Sequence, residues 1–225
     1  MSQLQTSAVI FDFDGTLVDS LPGIEFSVKA AFFSCGIPVP VVDLRRMIGP
    51  PIRTILSRAA QTNDPEAIAN LESAFRTSYD SEGWRRTLCY PGTEAALSVL
   101  QSAGIRLFIV TNKPRHISLR TLELLRLAHF FECLVTRDSR SPQYGDKREM
   151  IEFVLHSSAL SAQNCMLVGD TEEDADAAAS CKMRFAHVSH GYGTISDGAK
   201  SPVHIRLNDF SQLPQLIGLE FAHDR

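Results

Sequence analysis

The stretch Val9-Ile10-Phe11-Asp12-Phe13-Asp14-Gly15-Thr16 constrains this chain more than any other. An apolar run of strand character stops at two carboxylates and a glycine. Alternate side chains of a strand share a face, so Asp12 and Asp14 can point the same way. Two carboxylates at one strand mouth repel each other. They coexist only with a cation between them or with one of them protonated. The same residues also read as a plain strand followed by a common Asp-Gly turn. What other segments bring to that edge decides between the two readings.

After Thr16 the apolar period changes from two to that of a helix. Ser20 and Pro22 open a helix whose inward face is Ile24, Val28, Ala31 and Phe32, closed by Gly36. A short helix is expected over Val41 to Met47. Another follows Pro50-Pro51 with Ile52, Ile55, Leu56, Ala59 and Ala60 in phase, and a fourth starts at Asp64-Pro65 with Ile68, Leu71, Phe75 and Tyr79 inward. The segment 18–87 therefore reads as helix throughout. From Tyr90-Pro91-Gly92 onward, helical segments alternate with apolar strands: Ile105 to Val110, Cys133 to Thr136, Cys165 to Val168, Arg184 to Val188 and an edge strand at Val203 to Leu207. Residues 137–146 read as a loop, and Leu213, Leu216 and Ile217 suggest a closing helix.

Strands separated by helices predict an α/β fold, a doubly wound parallel sheet. The core unit is 1–17 plus 88–225, and 18–87 is an inserted helical cap. An insertion after the first strand hangs over the carboxyl ends of the strands, where open α/β sheets bind ligands.

Composition narrows the classes of function. The 225 residues carry a net charge of −4 with no basic tract, which speaks against nucleic acid and anionic membranes as partners. Five cysteines, an odd number without any C-x-x-C, suit reduced thiols better than disulfides or a zinc site. The apolar run Ala8 to Phe11 is too short for a signal or membrane helix, and the expected location is cytoplasmic.

Further polar residues fall at strand ends: Thr111-Asn112-Lys113 and Gly169-Asp170-Thr171-Glu172-Glu173-Asp174, with Lys147 opening the helix that feeds the latter. Asp170 and Asp174, four apart across a strand exit and a first helical turn, can approach one point. Glu172, Glu173 and Asp176 are read as acidic residues favouring a helix amino end. Asp12, Asp14 and Asp170 together make a hard, all-oxygen donor set that suits magnesium.

In this order the motifs resemble the haloacid dehalogenase superfamily, in its phosphatase branch with a helical cap after the first strand. The resemblance spans essentially the whole chain: the Asp12 to Thr16 motif, the insertion, Thr111, Lys147, and Gly169-Asp170 with Asp174. It implies that Asp12 is the nucleophile and that Asp14 is first a general acid and then a base. Gly15, Thr111 and the Asn112 backbone amide would bind phosphate oxygens, and Lys147 would neutralise charge. Magnesium would lie on Asp12, the Asp14 main-chain carbonyl and Asp170, with Asp174 in support. Thr111-Asn112-Lys113-Pro114 is similar to the phosphoglycolate phosphatase pattern, with Lys113 meeting the substrate. Gly49-Pro50-Pro51-Ile52-Arg53 is similar to a subgroup that also includes 5′-nucleotidases, which makes Gly49 and Arg53 candidate cap contacts. One departure is Asp146-Lys147-Arg148, which lacks the proline common after that lysine.

The expected activity is thus magnesium-dependent hydrolysis of a small phosphorylated metabolite. A nucleotidase, a phosphosugar mutase and a non-enzymatic phosphoacceptor domain remain alternatives. Dehalogenation would leave the acid and the metal carboxylates idle. Imine-forming phosphonate cleavage needs a cap amine, and the cap offers only Lys29, with Arg53 in the stretch concerned.

Overall fold

The computed structural model describes residues 6–195 and 202–218. The outermost parts of the expected core unit, 1–5 and 219–225, and the internal stretch 196–201 lie outside the described residues. In chain order the elements are β1 (Ala8–Phe11), β2 (Val18–Asp19), α1 (Leu21–Ser34), α2 (Ile52–Ala60), α3 (Pro65–Ser81), β3 (Leu88–Cys89), α4 (Thr93–Ser102) and β4 (Arg106–Thr111). Then come α5 (Arg115–Leu124), β5 (Cys133–Thr136), α6 (Lys147–Ser157), β6 (Cys165–Gly169), α7 (Glu172–Ser180), β7 (Arg184–Val188), β8 (Ile205–Leu207) and α8 (Leu213–Leu216).

Six strands form one sheet in the order β5-β4-β1-β6-β7-β8. Each neighbouring pair is parallel. β1 lies between β4 and β6, with Phe11 level with Ile109 on one side and Val168 on the other. Alternation along β1 divides the interior. Val9 and Phe11 join a core with Leu97 and Leu100 of α4 and Leu213 of α8. Ala8 and Ile10 join the opposite core with Met150 and Val154 of α6 and Ala178 of α7. Both faces are covered, which is why β1 and β6 are apolar and buried throughout rather than alternating with polar residues. The parallel α/β sheet expected from the sequence is the one observed.

The segment 18–87 departs from the all-helix expectation at its start. Val18–Asp19 and Leu88–Cys89 pair antiparallel, so the chain leaves and re-enters the sheet region through a two-stranded ribbon. Between them α1, α2 and α3 share their own core, with Val28, Phe32, Leu56 and Leu71 essentially buried. Asp64 caps α3 by accepting from the Glu66 and Ala67 amides at 3.3 Å, and Pro65 fills its first turn. That core also takes in Ile117 of α5 and Tyr192, which seats the three helices over the carboxyl edge of the sheet.

The helix expected over Val41 to Met47 is only a 3-10 turn, Leu44–Met47. Leu44 is buried, whereas Val41 is fully exposed, so no apolar stripe pins a longer helix there. The loop expected at 137–146 contains a 3-10 turn of its own, Arg137–Ser139, held by a capping box between Thr136 and Ser139.

Candidate active site

The carboxyl ends of β1, β4 and β6 and the first turns of α6 and α7 converge on one cavity of about 170 Å³, roofed by the helical segment. Asp12 follows β1 directly, with its amide donating to the Val168 carbonyl at 2.9 Å. Beyond it the chain turns at Phe13, whose carbonyl accepts from the Leu17 and Val18 amides. Gly15 has φ +85, and a Cβ there would stand 2.5 Å from an Asp170 carboxylate oxygen. Only glycine serves this turn, on grounds of both conformation and space.

Asp12, Asp170 and Asp174 each offer a carboxylate oxygen within 4.8 Å of the others, and all three residues are buried. Lys147, 3 % exposed, reaches across them to Asp12 Oδ1 at 3.0 Å and to Asp174 Oδ1 at 2.6 Å. Three carboxylates thus face one lysine. Burial raises the Asp12 carboxyl well above the ordinary carboxylate range; Lys147 opposes the rise, and Asp174 and Asp170 add to it. Burial first and the Asp174 charge second push Asp170 up to about 6, against hydrogen bonds from Tyr192, Gly193 and Thr16. Burial also disfavours the Lys147 ammonium, yet Asp12 and Asp174 outweigh it and raise its pKa. The cluster is short of positive charge. A hard dication on oxygen donors would make up that deficit, and this donor set fits magnesium better than a softer metal.

Each of these carboxylates is oriented by the fold. Asp170 Oδ1 accepts from the Thr16 hydroxyl at 3.0 Å, and Oδ2 accepts from the amides of Tyr192 and Gly193 at 2.8 and 3.1 Å. A Cβ on Gly191 would overlap the Asp170 side chain, so the loop can approach this closely only with glycine at that position. Asp174 Oδ2 accepts from the Thr171 amide and hydroxyl at 3.0 and 2.6 Å, closing a capping box at the start of α7. The acidic helix-end residue is therefore also a member of the carboxylate cluster.

Asp14 is turned elsewhere. Its carboxylate accepts from Lys113 Nζ at 2.9 and 3.0 Å, and the same ammonium donates to the Tyr79 hydroxyl at 2.8 Å. The two acids at the strand mouth thus do not share one cation. Asp12 goes to Lys147 and Asp14 to Lys113, because the turn at Phe13 breaks the strand alternation between them. Thr111, 2 % exposed, ends β4 and accepts the Lys113 amide on its hydroxyl at 3.2 Å. The Asn112 side-chain amide is spent on Glu173, at 3.1 Å to each oxygen.

Gly49 and Arg53 both line the cavity from the helical side. Gly49 has φ +130, and a Cβ there would stand 3.5 Å from the Thr171 methyl. Arg53 Nη1 donates to Glu72 Oε2 at 3.2 Å, and Arg76 binds the other oxygen of Glu72 through Nε at 3.2 Å and Nη2 at 2.7 Å. Burial alone would raise the Glu72 carboxyl, but the bonds from Arg76 and Arg53 prevail and hold it below the usual range. Ile24, Ile48, Ile52, Ile55 and Phe75 add apolar surface to that wall, and Asp80 also lines the cavity.

Sequence reasoning missed Tyr79, Glu72 and Arg76 as cavity residues. Tyr79 is an inward position of its helix, and its spacing of four from Phe75 gives no sign that its hydroxyl reaches a lysine on the sheet side. Tyr192 belongs to the same frame: its amide holds Asp170, while its hydroxyl accepts from the Ser20 and Leu21 amides and donates to Asp19. No helix among the described residues is long and apolar enough to cross a membrane. All five cysteines are free thiols.

A family model described as haloacid dehalogenase-like hydrolase matches residues 9–188. The chain is 32 % identical over 214 residues to a phosphoglycolate phosphatase of Cereibacter sphaeroides, with 93 % of this chain and 96 % of that protein covered. It is also 32 % identical over 187 residues to the tyrosine-protein kinase PtkA of Mycobacterium tuberculosis, covering 82 % of this chain and 62 % of that one. Among solved structures, a predicted phosphatase from Clostridium acetobutylicum superposes with a TM-score of 0.81 at 28 % identity, covering 95 % of this chain and 98 % of the other.

Proposed function

This chain belongs to the haloacid dehalogenase-like hydrolase family and is a phosphoric monoester hydrolase, and we propose that it cleaves small phosphomonoesters with magnesium through a phosphorylated Asp12. The observation that carries this reading is the pairing of Asp12 with Lys147 inside a buried carboxylate cluster, while Asp14, two residues on, faces the same cavity beside a second lysine.

Asp12, Asp170 and the Asp14 main-chain carbonyl would hold the magnesium, supported by Asp174, and the ion would offset charge on the phosphoryl oxygens. Phosphoryl transfer needs in-line positioning and neutralised charge more than covalent manipulation. Thr111, the Asn112 amide and Lys147 orient the phosphoryl group over an Asp12 oxygen. That oxygen forms a bond to phosphorus as the ester P–O bond breaks. The leaving oxygen takes a proton from Asp14. Lys113 turns from Asp14 to the entering dianion, which frees Asp14 for this work. In the second half Asp14 takes a proton from water, the water oxygen attacks phosphorus, the bond to Asp12 breaks, and inorganic phosphate leaves. The helical segment acts as a cap that keeps bulk water away during the first half. The named relative makes phosphoglycolate the first ester to try.

The test is chemical trapping. With magnesium and an aryl phosphate, borohydride reduction should convert residue 12 to homoserine, read by peptide mass spectrometry. Asp12→Asn should abolish the trapped product and lower turnover by roughly 10⁴-fold or more. Turnover or labelling that survives the substitution would remove Asp12 as the nucleophile.

A further inference from the structure

The helical wall of the cavity differs in kind from the sheet edge, and α3 orders it along one line. Tyr79, Phe75 and Glu72 recur at the spacing of one helix face, and all three line the cavity. Tyr79 marks the phosphate end, since its hydroxyl shares Lys113 with Asp14. Phe75 stacks on Tyr79 with ring centroids 5.2 Å apart and planes 13° apart, and with Ile24, Ile48 and Ile55 it makes an apolar middle. Glu72 lies seven residues from Tyr79, about 10 Å along the helix axis. There it braces the two guanidiniums of Arg53 and Arg76. Two cations and one carboxylate leave a single positive charge at this far end. The guanidinium N–H groups not bound to Glu72 have no hydrogen-bond partner among the described residues.

Taking the phosphatase reading as given, we propose that the leaving group is an alcohol with an apolar body and an anionic terminus, the body lying against Phe75 and the terminus meeting Arg53 and Arg76. A two-carbon acid fits this wall poorly. Its carboxylate lies next to the ester oxygen and would meet Lys113, leaving the isoleucines and Phe75 in contact with water and the arginines out of reach. A leaving group that spans the apolar stretch removes that surface from water and brings its charge to donors already held in place. Arginine forks suit a carboxylate or second phosphate at that end. Arg53 and Arg76 have side chains 48 % and 43 % exposed, so screening keeps the charge effect moderate.

The experiment compares kcat/KM with magnesium for phenyl phosphate, para-carboxyphenyl phosphate, para-aminomethylphenyl phosphate and phosphoglycolate. The carboxylate should raise the value over phenyl phosphate about fivefold to tenfold, mainly through KM, and the ammonium should lower it. Arg76→Met should bring the carboxyphenyl-to-phenyl ratio to about one, and Glu72→Gln should increase it, since it removes the competing anion. A merely structural role for this trio would move the ratio in neither direction. A wild-type ratio of one or less, or a shift of the same sign in both variants, would overturn the inference alone. So would phosphoglycolate outperforming every aryl ester. Failure to turn over any of the four esters would bring down the phosphatase reading and this inference with it.

Discussion

The two walls of the cavity are built on opposite terms. The sheet edge gathers Asp12, Asp170, Asp174 and Lys147, all nearly or wholly buried and each oriented by at least one hydrogen bond. The helical wall is mostly isoleucine, proline and phenylalanine, with its charges carried by Asp80 and a half-exposed arginine–glutamate trio. The difference is one of tolerance. A buried charge cluster keeps its geometry only if every partner is present, because a lone buried ion costs several kcal/mol. An apolar wall can change shape by a methylene or two and lose about 1–3 kcal/mol of discrimination. On the proposed reading, chemistry would sit where substitution is most costly, and selection of the leaving group where it is cheap.

Substitutions on each wall can break this contrast. After Asp12→Asn, the largest effect should come from Asp14→Asn on the sheet side. Loss of the acid should slow alkyl phosphates by roughly 10²–10⁴-fold in kcat, and nitrophenyl phosphate much less, because that leaving group departs without a proton. Equal losses on both esters would show that Asp14 is not the acid. On the helical side, Phe75→Leu should raise KM for aryl phosphates about tenfold, with a smaller change in kcat. A fall confined to kcat would place Phe75 with the chemistry and erase the distinction between the walls.

A smaller effect concerns pH and metal. The folded-state pKa of Asp170, about 6, stands above the ordinary carboxylate value of 3.8, and Asp12 is raised as well. The folded protein then binds more protons than the unfolded chain between those values, so metal-free stability increases as pH falls from about 7 towards about 5. That is the reverse of a carboxylate held by an ion pair alone. Magnesium bound at the cluster would replace the missing protons, so the dependence should flatten when it is saturating. Thermal melts in EDTA should show a rise of a few degrees, at about 2–4 °C per kcal/mol for a chain of this size. Asp170→Asn should remove part of it, leaving the share that burial of Asp12 contributes. Identical slopes with and without magnesium would separate the metal from this cluster.

Residue order alone determined the parallel sheet, the strand mouths and the identity of the carboxylates. Strand and helix periodicities are local, and a glycine or acid at the end of an apolar run marks where a strand stops. Lys147 was legible for the same reason, because it opens a helix feeding the strand that ends at Asp170. The helix expected over Val41 to Met47 shrank to a 3-10 turn because local apolar content does not say what surface will cover it. Only the tertiary structure decided which lysine serves which acid. The turn at Phe13 sends Asp14 to Lys113 and leaves Asp12 with Lys147, and the partners lie 99 and 135 residues away. Tyr79, Glu72 and Arg76 entered the cavity on the same terms. Their spacing announces one face of a helix, but what that face looks onto depends on how α3 packs over the sheet, and contacts so distant in sequence are set by the sum of many side-chain fits rather than by any one segment.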